Sequence, residues 1–114
     1  MRRKNYKGRC EKRSLNKCNG VCRTYDKIQY AYADSLEKSN LIKEFDCNVP
    51  LDNADYTSDF VCIKADNTLM VRECVERTLL TKPRTVKLLD FSREYWLKHG
   101  VEDWGIVTNG QKAD

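Results

Sequence analysis

Two acids stand inside β-rich runs that a compact fold would bury. Residues 56–77 read YTSDFVCIKADNTLMVRECVER. Thr57–Lys64 and Thr68–Glu76 are strand-like and flank a polar Ala65-Asp66-Asn67 turn, which predicts a hairpin. Asp59 lies early in the first run and Glu73 late in the second. Side chains alternate across a strand, so Glu73 shares a face with Val75, while Arg72, Cys74 and Glu76 face the other way. In an antiparallel hairpin turning at Asn67, Asp59 and Glu73 fall roughly opposite each other. A buried carboxylate is costly unless it is paired or holds a metal. Two carboxylates facing one point also repel, and a divalent ion that prefers oxygen, Mg²⁺ or Mn²⁺, relieves both penalties. A metal held this way activates water and polarises a phosphodiester. The alternative is plain ion pairing, for which Lys64, Arg72 and Arg77 are close in sequence.

The hairpin must sit in a small body. A chain of 114 residues fits one domain. No apolar run approaches the roughly 20 residues that span a membrane, and the basic start MRRKNYKGRC lacks the apolar segment of a secretory signal. A soluble, cytoplasmic protein with no membrane association is expected. Charge is unevenly placed. Residues 1–23 hold nine Lys or Arg and one acid, a local +8 that leaves −4 on the remainder of a chain of net charge +4. A basic arm on a mildly acidic body suits a polyanion such as double-stranded DNA. Arg2, Arg3, Lys4, Lys7, Arg9, Lys12 and Arg13 are its candidate phosphate contacts, and a solvated tail is the bland alternative.

Six cysteines are expected as free thiols in that setting. Cys47, Cys62 and Cys74 lie in apolar runs, where cysteine packs as a small hydrophobe. Cys10, Cys18 and Cys22 instead sit in a polar segment as C-x7-C-x3-C. With Cys47 or His99 as a fourth ligand they form a candidate zinc set, although the spacing is loose and no CxxC pair is present. A small zinc-containing nucleic-acid binder is the functional reading that this set supports.

Along the chain, residues 1–23 read as irregular, with an Asn19-Gly20 turn signal. Thr24 offers a cap for a helix to about Lys38, with Asp26 in its first turn and a stripe of Ile28, Ala31, Tyr32, Ser35 and Leu36. Leu41–Val49 reads as an edge strand, followed by a loop from Pro50 to Asp55 and then the hairpin. Thr81 as cap and Pro83 in the first turn open a second helix to about His99, striped by Val86, Leu89, Trp96 and Leu97. Gly100 suits its C-terminus, where His99 is a capping cation rather than a catalyst. Trp104–Thr108 reads as a last buried strand, and residues 109–114 as a frayed tail. The order is αβββαβ over residues 24–108: a small α/β domain whose mixed four-stranded sheet is flanked by helices.

SDFVC at 58–62, LMVRECVE at 69–76 and KPRTVKLLDFSREYWLKHGVEDWGIVT at 82–108 resemble the TnsA-like endonuclease subunits of heteromeric bacterial transposases. The resemblance spans about residues 24–108, the N-terminal catalytic domain of that family, and implies a restriction-endonuclease-like core of the PD-(D/E)xK type. It implies a Mg²⁺- or Mn²⁺-dependent nuclease that cuts one DNA strand at transposon ends with a TnsB-like DDE transposase partner in the bacterial cytoplasm. Asp59 matches the family's strand aspartate and Glu73 the first residue of its (E/Q)xK pair. Two positions depart: the first-helix glutamate falls on Gln29, and the lysine on Val75. Gln29 keeps an amide oxygen for metal or water, and Arg77 or Lys27 is left to neutralise the phosphate. These departures also admit a catalytically silent, DNA-binding or regulatory subunit on the same fold. The family's C-terminal helical domain has no counterpart in these residues.

Overall fold

A computed structural model describes residues 10–52 and 56–109. Its elements are β1 (Glu11–Arg13), β2 (Cys22–Thr24), α1 (Lys27–Lys38), β3 (Ile42–Pro50), β4 (Thr57–Lys64), β5 (Leu69–Cys74), a 3-10 turn (Arg77–Leu79), α2 (Pro83–Lys98) and β6 (Asp103–Val107). β3-β4-β5-β6 form one mixed sheet, antiparallel except for the parallel β5–β6 pair that α2 connects. The chain is therefore mixed α/β, with a four-stranded sheet and two helices. No helix of the described residues is long and apolar enough to cross a membrane.

Strand alternation divides the core. Phe60, Cys62, Met70 and Cys74 line one face and pack with Ala33 and Leu36 of α1 and with Phe45, Cys18 and Cys22. Val61 and Val71 line the opposite face and pack with Trp96, Phe91 and Leu88 of α2, together with Leu51, Tyr56 and Val101. Each fully buried aromatic such as Phe60 contributes about 1.5–3 kcal/mol of transfer free energy, so the two apolar layers hold the sheet from both sides.

Several sequence expectations shift. Residues 10–23, expected to be irregular, pair as β1 and β2 with Arg13 opposite Cys22. They dock on the core through Asn19 N–H to the Phe45 carbonyl (2.9 Å) and Phe45 N–H to the Lys17 carbonyl (2.8 Å). Asp26, not Thr24, caps α1, because its Oδ1 accepts the Gln29 N–H at 2.8 Å while Thr24 closes β2. Lys82 rather than Thr81 precedes α2, with no side-chain cap and Pro83 at the first position. In α2 the sheet-facing residues are Leu89, Ser92 and Trp96; Val86 and Leu97 of the expected stripe are 42% and 43% exposed. Leu97 lies about 100° round the helix from Trp96, and the first turn, with Val86, stands clear of the sheet. His99 does close α2, with Gly100 following at φ +84, the left-handed conformation that glycine adopts without strain.

Candidate functional site

The hairpin register continues from Phe60–Arg72 toward Asp59 and Glu73, and both acids are buried, at 1% and 0% exposure. Backbone hydrogen bonds give way here to carboxylates. Glu73 Oε1 accepts the Asp59 N–H at 3.0 Å, and Asp59 Oδ2 accepts the Cys74 N–H at 2.7 Å. Each acid therefore reaches across to a backbone N–H of the other's strand. The remaining oxygens are also engaged. Asp59 Oδ1 accepts Gln29 Nε2 at 3.3 Å, and Glu73 Oε2 accepts the Ser92 hydroxyl at 2.6 Å. Trp104 Nε1 in turn donates to Ser92 Oγ at 3.0 Å, and Trp96 Nε1 donates to Ser58 Oγ at 3.0 Å. Charge-assisted bonds of this kind are the strong ones, and they offset part of the desolvation cost of two acids.

The ion-pair alternative resolves for two of its three cations. Arg72 Nη2 and Lys64 Nζ both reach Asp103, at 2.8 and 2.7 Å. Arg72 lies across Gly105, whose Cα would place a methyl group only 3.2 Å from the guanidinium, so a larger residue would crowd this route. The bond from Lys64, then that from Arg72, holds the Asp103 carboxyl below the usual carboxylate range. Alternation carried on through Val75 would put the third cation, Arg77, on the Glu73 face. β5 ends at Cys74, so strand alternation does not extend to Arg77, which opens the exposed 3-10 turn and donates its N–H to Asn109.

Gln29 joins the site with a different orientation from the one expected. It is the third residue of α1, and its Oε1 accepts the Tyr25 N–H at 2.8 Å. That donor fixes the amide, since a backbone N–H can only donate. The amide oxygen is thus turned away, and the NH₂ group presents to Asp59. The arrangement resembles a capping box, D-x-x-Q, except that the third residue answers the N–H of Tyr25, before the cap, rather than that of Asp26. Lys27 is exposed at the first position of α1, and Val75, which the resemblance aligned with a lysine, is buried at 7% exposure.

A second constellation forms on the α1 side. The sulfurs of Cys18, Cys22 and Cys47 all lie within 4.8 Å of one another, so this cluster is able to hold a metal such as zinc. Cys18–Cys47 is 3.7 Å and Cys22–Cys47 is 3.2 Å. The expected trio is corrected at one member: Cys10 precedes β1, whose pairing places Arg13 beside Cys22 and carries Cys10 three residues, about 10 Å, up the ladder. Cys47, one of the two residues expected as a fourth ligand, does join Cys18 and Cys22. His99 is remote from the cluster, its Nδ1 2.7 Å from the Tyr95 carbonyl and its ring stacked on Tyr95. Hydrogen bonding from Cys47 lowers the Cys22 thiol to about 7, with Arg13 assisting, whereas burial raises Cys18 to about 11.

Of the basic candidates, Arg2, Arg3, Lys4, Lys7 and Arg9 lie outside the described residues. Lys12 is exposed on β1. Arg13 is committed to the fold: it bonds Asp34 at 2.6 Å and lies 3.6 Å over the Tyr30 ring. Ser92, Trp104 and Asp103 were not anticipated. Ser92 left one usable signal, a small polar residue in the stripe between Leu89 and Trp96, which implies a buried polar partner.

No protein-family model matches the chain, and a search of curated proteins finds no significant match.

Proposed function

We propose that this protein is a TnsA-like, metal-dependent DNA endonuclease with a restriction-endonuclease-like core, which cuts one strand at the ends of a mobile element beside a TnsB-like DDE transposase. The observation that carries this reading is the pair of buried carboxylates, Asp59 and Glu73, brought together by the register of β4 and β5 beside the first turn of α1. Their oxygen donors fit Mg²⁺ or Mn²⁺ rather than a soft metal. Asp59 and Glu73 would hold the ion, which when bound supplies Lewis acidity toward a phosphodiester and an activated water. Gln29 acts as a positioning residue, orienting Asp59 through its NH₂ group. Ser92, backed by Trp104, orients Glu73. Lys27, exposed at the start of α1 two residues before Gln29, is assigned to the DNA phosphates with Lys12.

The orientation of Gln29 and the burial of Val75 favour a second reading, a catalytically silent subunit that binds DNA or regulates a transposase on the same fold. Nicking of supercoiled plasmid decides between them. The nuclease reading expects Mg²⁺- or Mn²⁺-dependent nicking that Asp59→Ala abolishes. Retained DNA binding with no nicking, even with a DDE transposase added, supports the silent subunit and rejects the nuclease.

A further inference from the structure

We propose that Cys18, Cys22 and Cys47 form a zinc site that clamps the basic N-terminal segment to the edge of the sheet, a property separate from the nuclease reading. Two backbone hydrogen bonds bring the ligands together without help from the thiols. The Asn19–Phe45 and Lys17–Phe45 bonds lay residues 17–19 along β3, so that Cys18 falls beside Cys47. Gly20, at φ +77, then turns the chain back so that Cys22 enters β2 on the same side.

Ligand geometry fits one ion. Sulfurs bound tetrahedrally at about 2.3 Å from zinc stand about 3.8 Å apart. The Cys18–Cys47 separation of 3.7 Å already meets this, and Cys22–Cys47 at 3.2 Å needs to open by a little more than half an ångström. Three thiolates select a soft or borderline ion over Mg²⁺. Cys62 and Cys74 are as buried as Cys18 and Cys22 but belong to no such group among the described residues, so burial alone does not explain the convergence. Cys47 is the half-buried member. The described residues supply three ligands, and the fourth position is assigned to water on the Cys47 side. On binding, the thiol protons leave to solvent, since the thiolate is the ligand.

The clamp has a structural consequence. β2 runs through Thr24 and Tyr25 into Asp26, which caps α1 and fixes Gln29. A metal tying Cys22 to Cys47 therefore anchors the approach to α1. Cys18 ties the turn that carries Lys17, whose Nζ bonds the Ser39 carbonyl at 2.6 Å at the far end of the same helix.

The test is a cobalt titration of the full, reduced chain under anaerobic conditions, followed by zinc. One equivalent of Co²⁺ is expected to bind, with a thiolate-to-metal charge-transfer band and the intense visible bands of tetrahedral coordination, both bleached by one equivalent of Zn²⁺. Cys22→Ser and Cys47→Ser are expected to lose the signal, while Cys10→Ser and Cys62→Ser keep it. Zinc is also expected to slow proteolysis within residues 14–21 of the wild-type chain. Failure of the reduced wild-type chain to bind cobalt or zinc overturns the site, as does a signal that survives Cys47→Ser or disappears with Cys10→Ser. A Cys22–Cys47 disulfide that takes up no metal after reduction overturns it too and makes the cluster a redox pair. Because the wild-type stoichiometry and the Cys10→Ser control stand alone, an unfolded Cys47→Ser variant does not blunt the result.

Discussion

The two constellations differ in how the chain assembles them. Asp59 and Glu73 sit on adjacent strands of one hairpin, and the strand register alone places them together. Cys18 and Cys22 meet Cys47 across 25–29 residues, through a docking that no local pattern announces. Their chemistry differs in the same sense. The first offers hard oxygens, each already held by a protein donor; the second offers three soft sulfurs whose short contacts are mostly with one another. One fold thus separates a candidate reaction centre, preorganised by hydrogen bonds, from a candidate clamp that a metal would complete. Strand register is a cheap way to place two groups side by side, whereas a docked segment needs a further fastening to stay.

The sharpest way to break this division is Asp59→Ala. If the carboxylates are the reaction centre, losing a ligand of the ion that supplies the Lewis acidity lowers plasmid nicking by at least about 10²-fold. Cobalt binding at the thiols stays at one equivalent, and a loss of both would show that the two sites are not separate. Zinc withdrawal is the complementary probe. At 100–1,000 times its dissociation constant, a metal that binds only the folded chain stabilises it by about 3–4 kcal/mol. The unfolding free energy from urea titration is therefore expected to rise by that amount with zinc and not to rise with zinc in Cys22→Ser.

Ser92→Ala tests the preorganisation. It deletes the donor to Glu73 Oε2 and the acceptor of Trp104, and it is expected to cost about 1.5–3 kcal/mol by urea denaturation, as for a hydrogen bond to a buried charged group. A cost under half a kcal/mol would mean that water replaces the hydroxyl. Gln29→Glu exchanges the NH₂ donor to Asp59 for a third carboxylate. It is expected to destabilise the metal-free chain by about 1–2 kcal/mol. Mg²⁺ should then stabilise the variant more than the wild type, which differential scanning calorimetry at matched Mg²⁺ will show.

The smallest effect belongs to Asp103, which lies away from both sites. Its folded-state pKa is depressed by Lys64 and then Arg72. The pairs therefore contribute in full above about pH 4, the ordinary carboxylate value, and that contribution is lost as pH falls through the lower folded value. Asp103→Asn is expected to cost about 0.5–1 kcal/mol at pH 7, because the pairs are partly exposed and screened. The cost should vanish in strong acid; a constant cost from pH 7 to pH 2 would mean that packing, not charge, holds this corner.

Local pattern determined much of this protein. The bounds of β4, the turn at Asn67, the order of helices and strands from α1 to β6 and the opposition of Asp59 and Glu73 all follow from period-two alternation, turn chemistry and proline placement, which act over a few residues. Capping was legible only to within two positions, because Thr24 and Asp26 are equally good caps until Gln29 shows which N–H is answered. Tertiary structure decided the rest. It sent Arg72 and Lys64 to Asp103, aimed the amide nitrogen of Gln29 rather than its oxygen at Asp59, and kept Cys47 but not Cys10 or His99 in the thiol cluster. Each of those outcomes depends on which of several reachable partners is nearest once the layers pack. Spacing along a chain sets what a side chain is able to reach; only the packed fold sets what it meets.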